Sequence, residues 1–245
     1  RCYFNLRQFH SDWHAVATAA TAAAAAEGDV AAQAAAHFSL ANQSFRTSRL
    51  TTAVTHAERA LALAEQVGWL DCQATCLGTL AGVAWREGDL HRAADLLTGC
   101  LALHRQVGRM EGVAINTGNV GGVYNEMGRL AEARERLIEA VDLRRRHASP
   151  GTELINLVSL AHCCHLLGDS QEALQNLDRA LVLSRTMNNR RVEADVYSEL
   201  AALHAAAGRA ELAVELATTS LGLFREFANL RGEIDALLAV GLAHL

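Results

Sequence analysis

Residues 80–101 read LAGVAWREGDLHRAADLLTGCL, and this stretch decides the fold. A leucine followed by a small residue precedes Gly88, an alanine comes five residues after that glycine, and a Cys-Leu pair follows at 100–101. The same order returns at residues 120–141, which read VGGVYNEMGRLAEARERLIEAV. A pattern that recurs at a fixed spacing of 40 residues predicts a repeat protein, in which one supersecondary unit is stacked several times.

The register extends along nearly the whole chain. Its turns are Ser48-Arg49-Leu50, Gly88-Asp89-Leu90, Gly128-Arg129-Leu130, Gly168-Asp169-Ser170 and Gly208-Arg209-Ala210. Extending the register backwards predicts a further turn near Gln8, with Trp13 where later units carry Ala53, Ala93, Ala133, Ala173 and Ala213. Glycine suits a helix C-cap with positive φ, so each turn is expected to end one helix before the next begins.

Small and large residues alternate in the same register. The small ones are Ala60, Cys100, Ala140, Ala180 and Ser220, each followed by Leu or Val, while Leu40, Leu80, Val120, Leu160 and Leu200 precede the turns. Small residues let two helices approach closely, and leucines fill the remaining space. Each unit is therefore predicted to be helix A, a turn and helix B, with a second connection around Gly68, Gly108, Ala148, Asn188 and Ala228.

These positions resemble the tetratricopeptide repeat, although the unit is six residues longer than the usual 34. The resemblance implies an all-α, right-handed α-solenoid of antiparallel helix pairs with about 11 helices. A single domain is expected over residues 1–245, with both ends cut within a repeat, as a C-terminal fragment of a larger multidomain protein. It also implies a binding scaffold rather than an enzyme, with helix A lining a concave groove that takes a protein or peptide.

Composition excludes several other classes. Hydrophobic residues make up 51% of the chain, aromatics only 5%, and there is one proline, which favours packed helices over sheets. All 22 basic residues are arginine, so neither a P-loop lysine nor a Schiff-base lysine is present. The net charge of −5 gives no general attraction to nucleic acid or membrane, and we expect a cytoplasmic chain without a cofactor.

Helix A residues outside the packing positions are the candidate groove. The set comprises Phe38, Asn42, Phe45, Thr79, Gly82, Trp85, Arg86, Asn119, Gly122, Asn125 and His162, with Thr75, Gly78, Ile115 and Gly118 beside them. The glycines could let the backbone of a bound partner approach closely, or they could equally serve packing between neighbouring helices. Trp85 and Phe45 are the candidate hot spots, and the asparagines either bind a peptide backbone or are merely solvated.

Other chemistry has weaker support. Chaperone-binding relatives read a peptide carboxylate with lysines, asparagines and an arginine; only Asn42 fits that set, so this function is rejected. Cys72 with Cys76, and Cys163 and Cys164 with His162 and His165, lack a metal-ligand spacing, and we expect buried structural thiols and no metal. The Arg144–Arg146 run is expected to be a solvated helix end, and Glu132 and Glu135 surface charges.

The N-terminal residues suggest a regulatory context. Tyr3-Phe4-Asn5-Leu6, Trp13 and Glu27-Gly28-Asp29 resemble the start of the repeat region in Streptomyces antibiotic regulatory proteins, which are actinobacterial transcription regulators. The resemblance implies a DNA-binding domain and a signalling ATPase upstream of Arg1, with this segment as a sensor or autoinhibitory arm that contacts those domains. The alternatives are a free-standing receptor for a signalling peptide or small ligand, and a general interaction scaffold.

Overall fold

The computed structural model describes residues 10–146, 150–227 and 229–243. All regular structure in these ranges is helical. The described residues form twelve helices, one more than the eleven or so expected: α1 (His10–Ala26), α2 (Val30–Arg46), α3 (Leu50–Gln66), α4 (Leu70–Arg86), α5 (Leu90–Gln106), α6 (Met110–Glu126), α7 (Leu130–Arg146), α8 (Pro150–Leu166), α9 (Ser170–Thr186), α10 (Arg190–Ala206), α11 (Ala210–Glu226) and α12 (Leu230–Ala243). Even-numbered helices are the predicted helices A and odd-numbered ones the helices B.

Left-handed residues end the helices. Gly88 has a φ of +83°, and Ser48 and Asn188 occupy the same place in their connections with φ values of +58° and +51°. The backbone N–H of Asp89 returns to the carbonyl oxygen of Ala84 at 2.9 Å, which satisfies a carbonyl at the end of α4. Residues 48, 88, 128, 168 and 208 all have positive φ, whereas the position near Gln8 lies outside the described residues.

The residue after the left-handed position starts the next helix. The Asp89 carboxylate accepts a hydrogen bond from the N–H of Arg92 at 3.1 Å, and Asp169 and Asn189 accept equivalent bonds in their own helices. An N-cap of this kind satisfies one of the backbone donors that a helix leaves unpaired, which is worth about 1 kcal/mol. A Gly-Asp dipeptide therefore stops one helix and caps the next within a three-residue connection.

Two compact units divide the chain, residues 1–123 and residues 124–245, and each is described by itself. The same helix A to helix B contact occurs in both. In the first unit the Cys100 thiol donates to the carbonyl oxygen of Ala74 at 3.0 Å, and in the second the Ser220 hydroxyl donates to that of Ala194 at 2.8 Å. The predicted small positions are all fully buried, namely Ala60, Cys100, Ala140, Ala180 and Ser220.

The core of the second unit is leucine-rich, with Leu137, Leu154, Leu157 and Leu177 fully buried.

One charged residue departs from expectation: only 1% of Arg144 is exposed, so the prediction of a solvated arginine run is wrong at this position. Its register position, which holds Ala64 in the second repeat, faces the core. Arg145 is exposed and pairs with Glu153 across the α7–α8 connection.

Trp13 occupies the alanine position of the first repeat. Its ring is buried and its Nε1–H donates to the Ser39 hydroxyl at 2.8 Å, which joins α1 to α2. Among the described helices, none is long and apolar enough to cross a membrane.

Candidate functional site

Three helices A of the first unit, α2, α4 and α6, contribute to one cavity of about 320 Å³. The structure brings together eight of the residues that the sequence placed on the groove: Phe38, Asn42, Phe45, Thr75, Gly78, Thr79, Ile115 and Asn119. The other five predicted residues of this unit are not part of the lining, namely Gly82, Trp85, Arg86, Gly118 and Gly122.

Two of the helix A glycines are contact points for aromatic rings. A β-carbon added to Gly82 would lie 2.9 Å from Cζ of Phe45, and one added to Gly122 would lie 2.6 Å from Cη2 of Trp85. Both distances are shorter than van der Waals contact, so each ring rests directly on the glycine backbone of the next helix A. Of the two interpretations of these glycines, packing between neighbouring helices therefore accounts for Gly82 and Gly122.

Arg86 holds the Phe45 end of the cavity. Its Nη1 donates to the carbonyl oxygen of Phe45 at 3.1 Å, and its guanidinium lies 4.1 Å from the centre of the Phe45 ring. Stacking of this kind on a partly exposed ring stabilises the pair by about 0.5–1 kcal/mol. Arg86 thus fixes the position of Phe45, and the ring forms a wall of the cavity.

Gly78 has a different environment. A β-carbon there would lie 3.7 Å from both Oδ1 of Asn116 and Sγ of Cys100, which is ordinary contact distance. The cavity consequently extends past α4 to residues of α5, including Cys100 and His104. Cys100 is fully buried, and burial raises the pKa of its thiol to about 12, so it is a neutral group here.

His104 is a buried residue of the cavity that sequence reasoning missed. Only 3% of its side chain is exposed, and its Nδ1, 3.9 Å from Oδ1 of Asp71, has no hydrogen-bond partner among the described residues. Burial lowers the pKa of His104, the Asp71 carboxylate opposes that shift, and Arg109 adds to it. Asp71 is itself paired with the guanidinium of Arg109.

A sequence signal for His104 exists in the repeat register. A β-carbon on Gly112, eight residues later, would lie 2.7 Å from the His104 ring. The equivalent pair Phe224 and Gly232 shows the same contact at 2.5 Å, while Ala64 pairs with the larger Cys72 at these positions. A bulky residue of helix B that is followed eight positions later by glycine therefore marks a side chain that packs against the next helix A.

Asn116 is the second buried residue that was missed. Only 6% of it is exposed; its register position holds Ala36, Cys76 and Val196 in three other repeats and a second buried asparagine, Asn156, in another. Its Nδ2 donates to the carbonyl oxygen of Gly112 at 2.9 Å, one turn earlier in α6. The available signal was a polar residue at a core position that is apolar in most other repeats.

Asn125 and His162 do not join the cavity. Asn125 donates through Nδ2 to the carbonyl oxygen of Ser159 at 3.0 Å, and His162 Nδ1 lies 3.1 Å from the Glu199 carboxylate. The hydrogen bond to Glu199 and the negative charges around it raise the pKa of His162. All four residues belong to the second unit, where the two predicted residues have partners of their own.

Cys72, Cys76, Cys100, Cys163 and Cys164 are buried thiols outside any disulfide, as expected for structural cysteines, and Cys2 lies outside the described residues. Within the described ranges, no group of three or more His, Cys, Asp or Glu side chains could hold a metal ion.

The tetratricopeptide repeat family model matches residues 112–186. The fold is a tetratricopeptide-type solenoid. The apo form of RapI is similar over 99% of this chain and 94% of its own length, with 14% identity and a TM-score of 0.74. No curated protein sequence is significantly similar to the chain.

Two further solved structures share the tetratricopeptide-type fold. The Rap conjugation gene regulator of plasmid pLS20, solved in complex with the Phr* peptide, is 14% identical over 98% of this chain and 72% of its own, with a TM-score of 0.67. A signal transduction ATPase with numerous domains and a tetratricopeptide repeat sensor, from Pyrococcus horikoshii, is 16% identical over 88% of this chain, with a TM-score of 0.66. This chain covers 36% of that ATPase.

Proposed function

We propose that this chain is a peptide-binding sensor domain of a multidomain bacterial transcription regulator, and that the peptide binds the cavity surface of α2, α4 and α6. The proposal rests on one observation: aromatic rings and side-chain amides line the same cavity. Phe38 and Phe45 supply apolar contact, while Asn42 and Asn119 supply both donors and acceptors for an extended backbone.

The volume of the cavity fits this role. At about 320 Å³ it lies at the lower end of the range of about 300–1,000 Å³ that is usual for ligand pockets, which suits one or two side chains of a longer ligand. Tetratricopeptide solenoids are typically protein-interaction scaffolds rather than enzymes, and a Rap protein of this fold has been solved with a peptide bound. Both facts support a peptide as the ligand.

The regulatory part of the proposal has separate support. The signalling ATPase from Pyrococcus horikoshii carries a tetratricopeptide sensor, which parallels the architecture that residues 3–6, Trp13 and 27–29 suggest by resemblance. In such a protein, peptide binding would change contacts between this arm and the other domains of the same chain. DNA and ATP would bind those domains rather than this segment.

A free-standing peptide receptor is the second candidate. The Rap conjugation gene regulator favours it, because that protein was solved in complex with the Phr* peptide. Sequencing the gene on both sides of the segment separates the two candidates: an upstream DNA-binding domain and ATPase support the regulator, whereas an open reading frame limited to the repeats supports the receptor.

Peptide binding is tested by selecting phage-displayed random 12-residue peptides on the 245-residue chain and measuring their affinity by calorimetry. The double variant Asn42→Ala with Asn119→Ala should weaken the selected peptides about tenfold or more, because each lost hydrogen bond is worth about 0.5–1.5 kcal/mol. The matched control, Thr51→Ala with Thr55→Ala, alters two exposed side chains of α3 in the same unit and should leave affinity unchanged. Peptides that bind the double variant as tightly as the parent chain would contradict the proposed surface.

A further inference from the structure

Gly78 lines the cavity, and among the described residues no side chain packs against it as closely as the rings that contact Gly82 and Gly122. The nearest side-chain atoms to a β-carbon at Gly78 would be 3.7 Å away, which is ordinary contact distance. Glycine in a helix interior is less favourable than alanine. The feature that glycine preserves at this position is the open space itself, through which the cavity reaches the helix B residues Cys100 and His104.

A hydrogen-bond acceptor borders this space. Nδ2 of Asn116 donates to the carbonyl oxygen of Gly112, and this bond fixes the amide so that Oδ1 faces the position above Gly78. The donor to Oδ1 among the described residues is Nδ2 of Asn119, at a long 3.4 Å. A buried carbonyl oxygen has two lone pairs, so Asn116 retains capacity for a second, stronger donor.

The surroundings select against charge. The carboxylate of Asp71 is already paired with Arg109, and Glu111 lies at the rim, so an incoming carboxylate would meet two negative charges and one positive charge. An ammonium or guanidinium group above Gly78 would be buried beside the neutral Cys100 and Asn116, while Glu111 lies at the rim, so its charge would lose hydration without a buried partner. A neutral donor avoids both penalties.

The walls select for an aromatic ring. Phe38 and Phe45 both face the cavity, and Arg86 holds the second ring in place. Aromatic rings pack favourably against one another in offset or edge-to-face arrangements, and tyrosine and tryptophan carry a donor at the far end of the ring. Such a side chain would place apolar surface between the phenylalanines and its O–H or N–H against Asn116.

We infer that the cavity above Gly78 binds an aromatic side chain with a hydrogen-bond donor at its tip, tyrosine or tryptophan, with Oδ1 of Asn116 as the acceptor and Gly78 as the specificity-determining residue. The inference rests on the proposed function, because that side chain belongs to the peptide bound along α2, α4 and α6. Phenylalanine would fill the same space but leave Oδ1 of Asn116 with the long hydrogen bond from Asn119 alone, and sites built to pair a donor discriminate strongly against analogues that lack it.

The test uses the peptides selected on the 245-residue chain. We expect them to share a tyrosine or tryptophan at one position, and replacing it by phenylalanine should weaken binding about tenfold or more, since each 1.4 kcal/mol corresponds to a tenfold change. On the protein, Gly78→Leu should fill the cavity and weaken binding at least as much. Gly222→Leu is the matched control, because this helix-interior glycine of the second unit has no side chain within 4 Å. Circular dichroism checks that both variants keep their helices.

The outcomes separate the two proposals. Selected peptides that respond to Asn42→Ala with Asn119→Ala but tolerate both Gly78→Leu and the change to phenylalanine would overturn the inference and leave peptide binding standing. Selected peptides that depend on a lysine or a carboxylate at the shared position would also overturn the inference. If no peptide is selected, or if none of these variants alters affinity, the proposed function and the inference both fail.

Discussion

The glycines of helix A provide the sharpest test of the packing in the first unit. In Gly122→Ala the new methyl group would lie 2.6 Å from Cη2 and 3.1 Å from Cζ2 of Trp85, so the indole ring must move. Overpacking of this kind costs about 1–3 kcal/mol, and the better helix propensity of alanine returns about 1 kcal/mol. We therefore expect a net loss of up to about 2 kcal/mol in the free energy of unfolding.

Gly78→Ala is the matched substitution. Its methyl group would lie 3.7 Å from its nearest neighbours, so the propensity gain of about 0.5–1 kcal/mol should appear without a packing cost. The two alanine variants should differ in sign. Urea denaturation followed by circular dichroism at 222 nm measures both, and Gly222→Ala, which has open space around it, gives the propensity gain alone.

A double-mutant cycle assigns the loss to the indole ring. In a Trp85→Ala background the clash is absent, so Gly122→Ala should become stabilising by about 0.5–1 kcal/mol. The resulting coupling energy of about 1–3 kcal/mol is typical of residues in direct contact. If Gly122→Ala stabilises the parent chain as much as Gly78→Ala does, Trp85 does not rest on Gly122 and the reasoning is refuted.

Three further predictions concern other contacts. Ala133→Leu should overpack a fully buried helix junction and lower the free energy of unfolding by about 1–3 kcal/mol in urea titrations; an unchanged midpoint would contradict the register. Trp13→Phe should cost about 1 kcal/mol in the same assay by removing the bond to Ser39. The pKa of His162 is raised, so its stabilising pair with Glu199 is complete below the ordinary pKa of 6.5 and is lost as pH rises through the raised value. Proton NMR titration should show that Glu199→Gln lowers this pKa; no change would exclude the pair.

The sequence predicted much of the candidate surface, because the periodicity of an α-helix determines which residues share one face. Phe38, Asn42, Phe45, Thr79 and Asn119 were placed on one face from their spacing, and the structure brings them together. His104 and Asn116 were missed, since they occupy core register positions, which hold Ala64 and Cys76 in other repeats. Their polar side chains reach the cavity because Gly78 and Gly112 leave room, and that room is visible only in the packed structure.

The surroundings of a side chain depend on helices that are distant from it in the sequence. The Arg144–Arg146 run was expected to be solvated, yet Arg144 is buried because its register position faces the core. Asn125 and His162 were assigned to the groove, and both have partners within the second unit instead. The charge and polarity of a residue do not predict which neighbouring helix its side chain will contact.

The sequence by itself determined the helices, their ends and their closest contacts. Left-handed residues at 48, 88, 128, 168 and 208, the capping residues after them and the small residues of each helix pair are local requirements, which backbone sterics and hydrogen bonding impose on individual positions. The tertiary structure alone decided the role of each helix A glycine. Gly78 and Gly82 are one helical turn apart, but one borders open space and the other a phenyl ring, because that difference is set by residues of neighbouring helices.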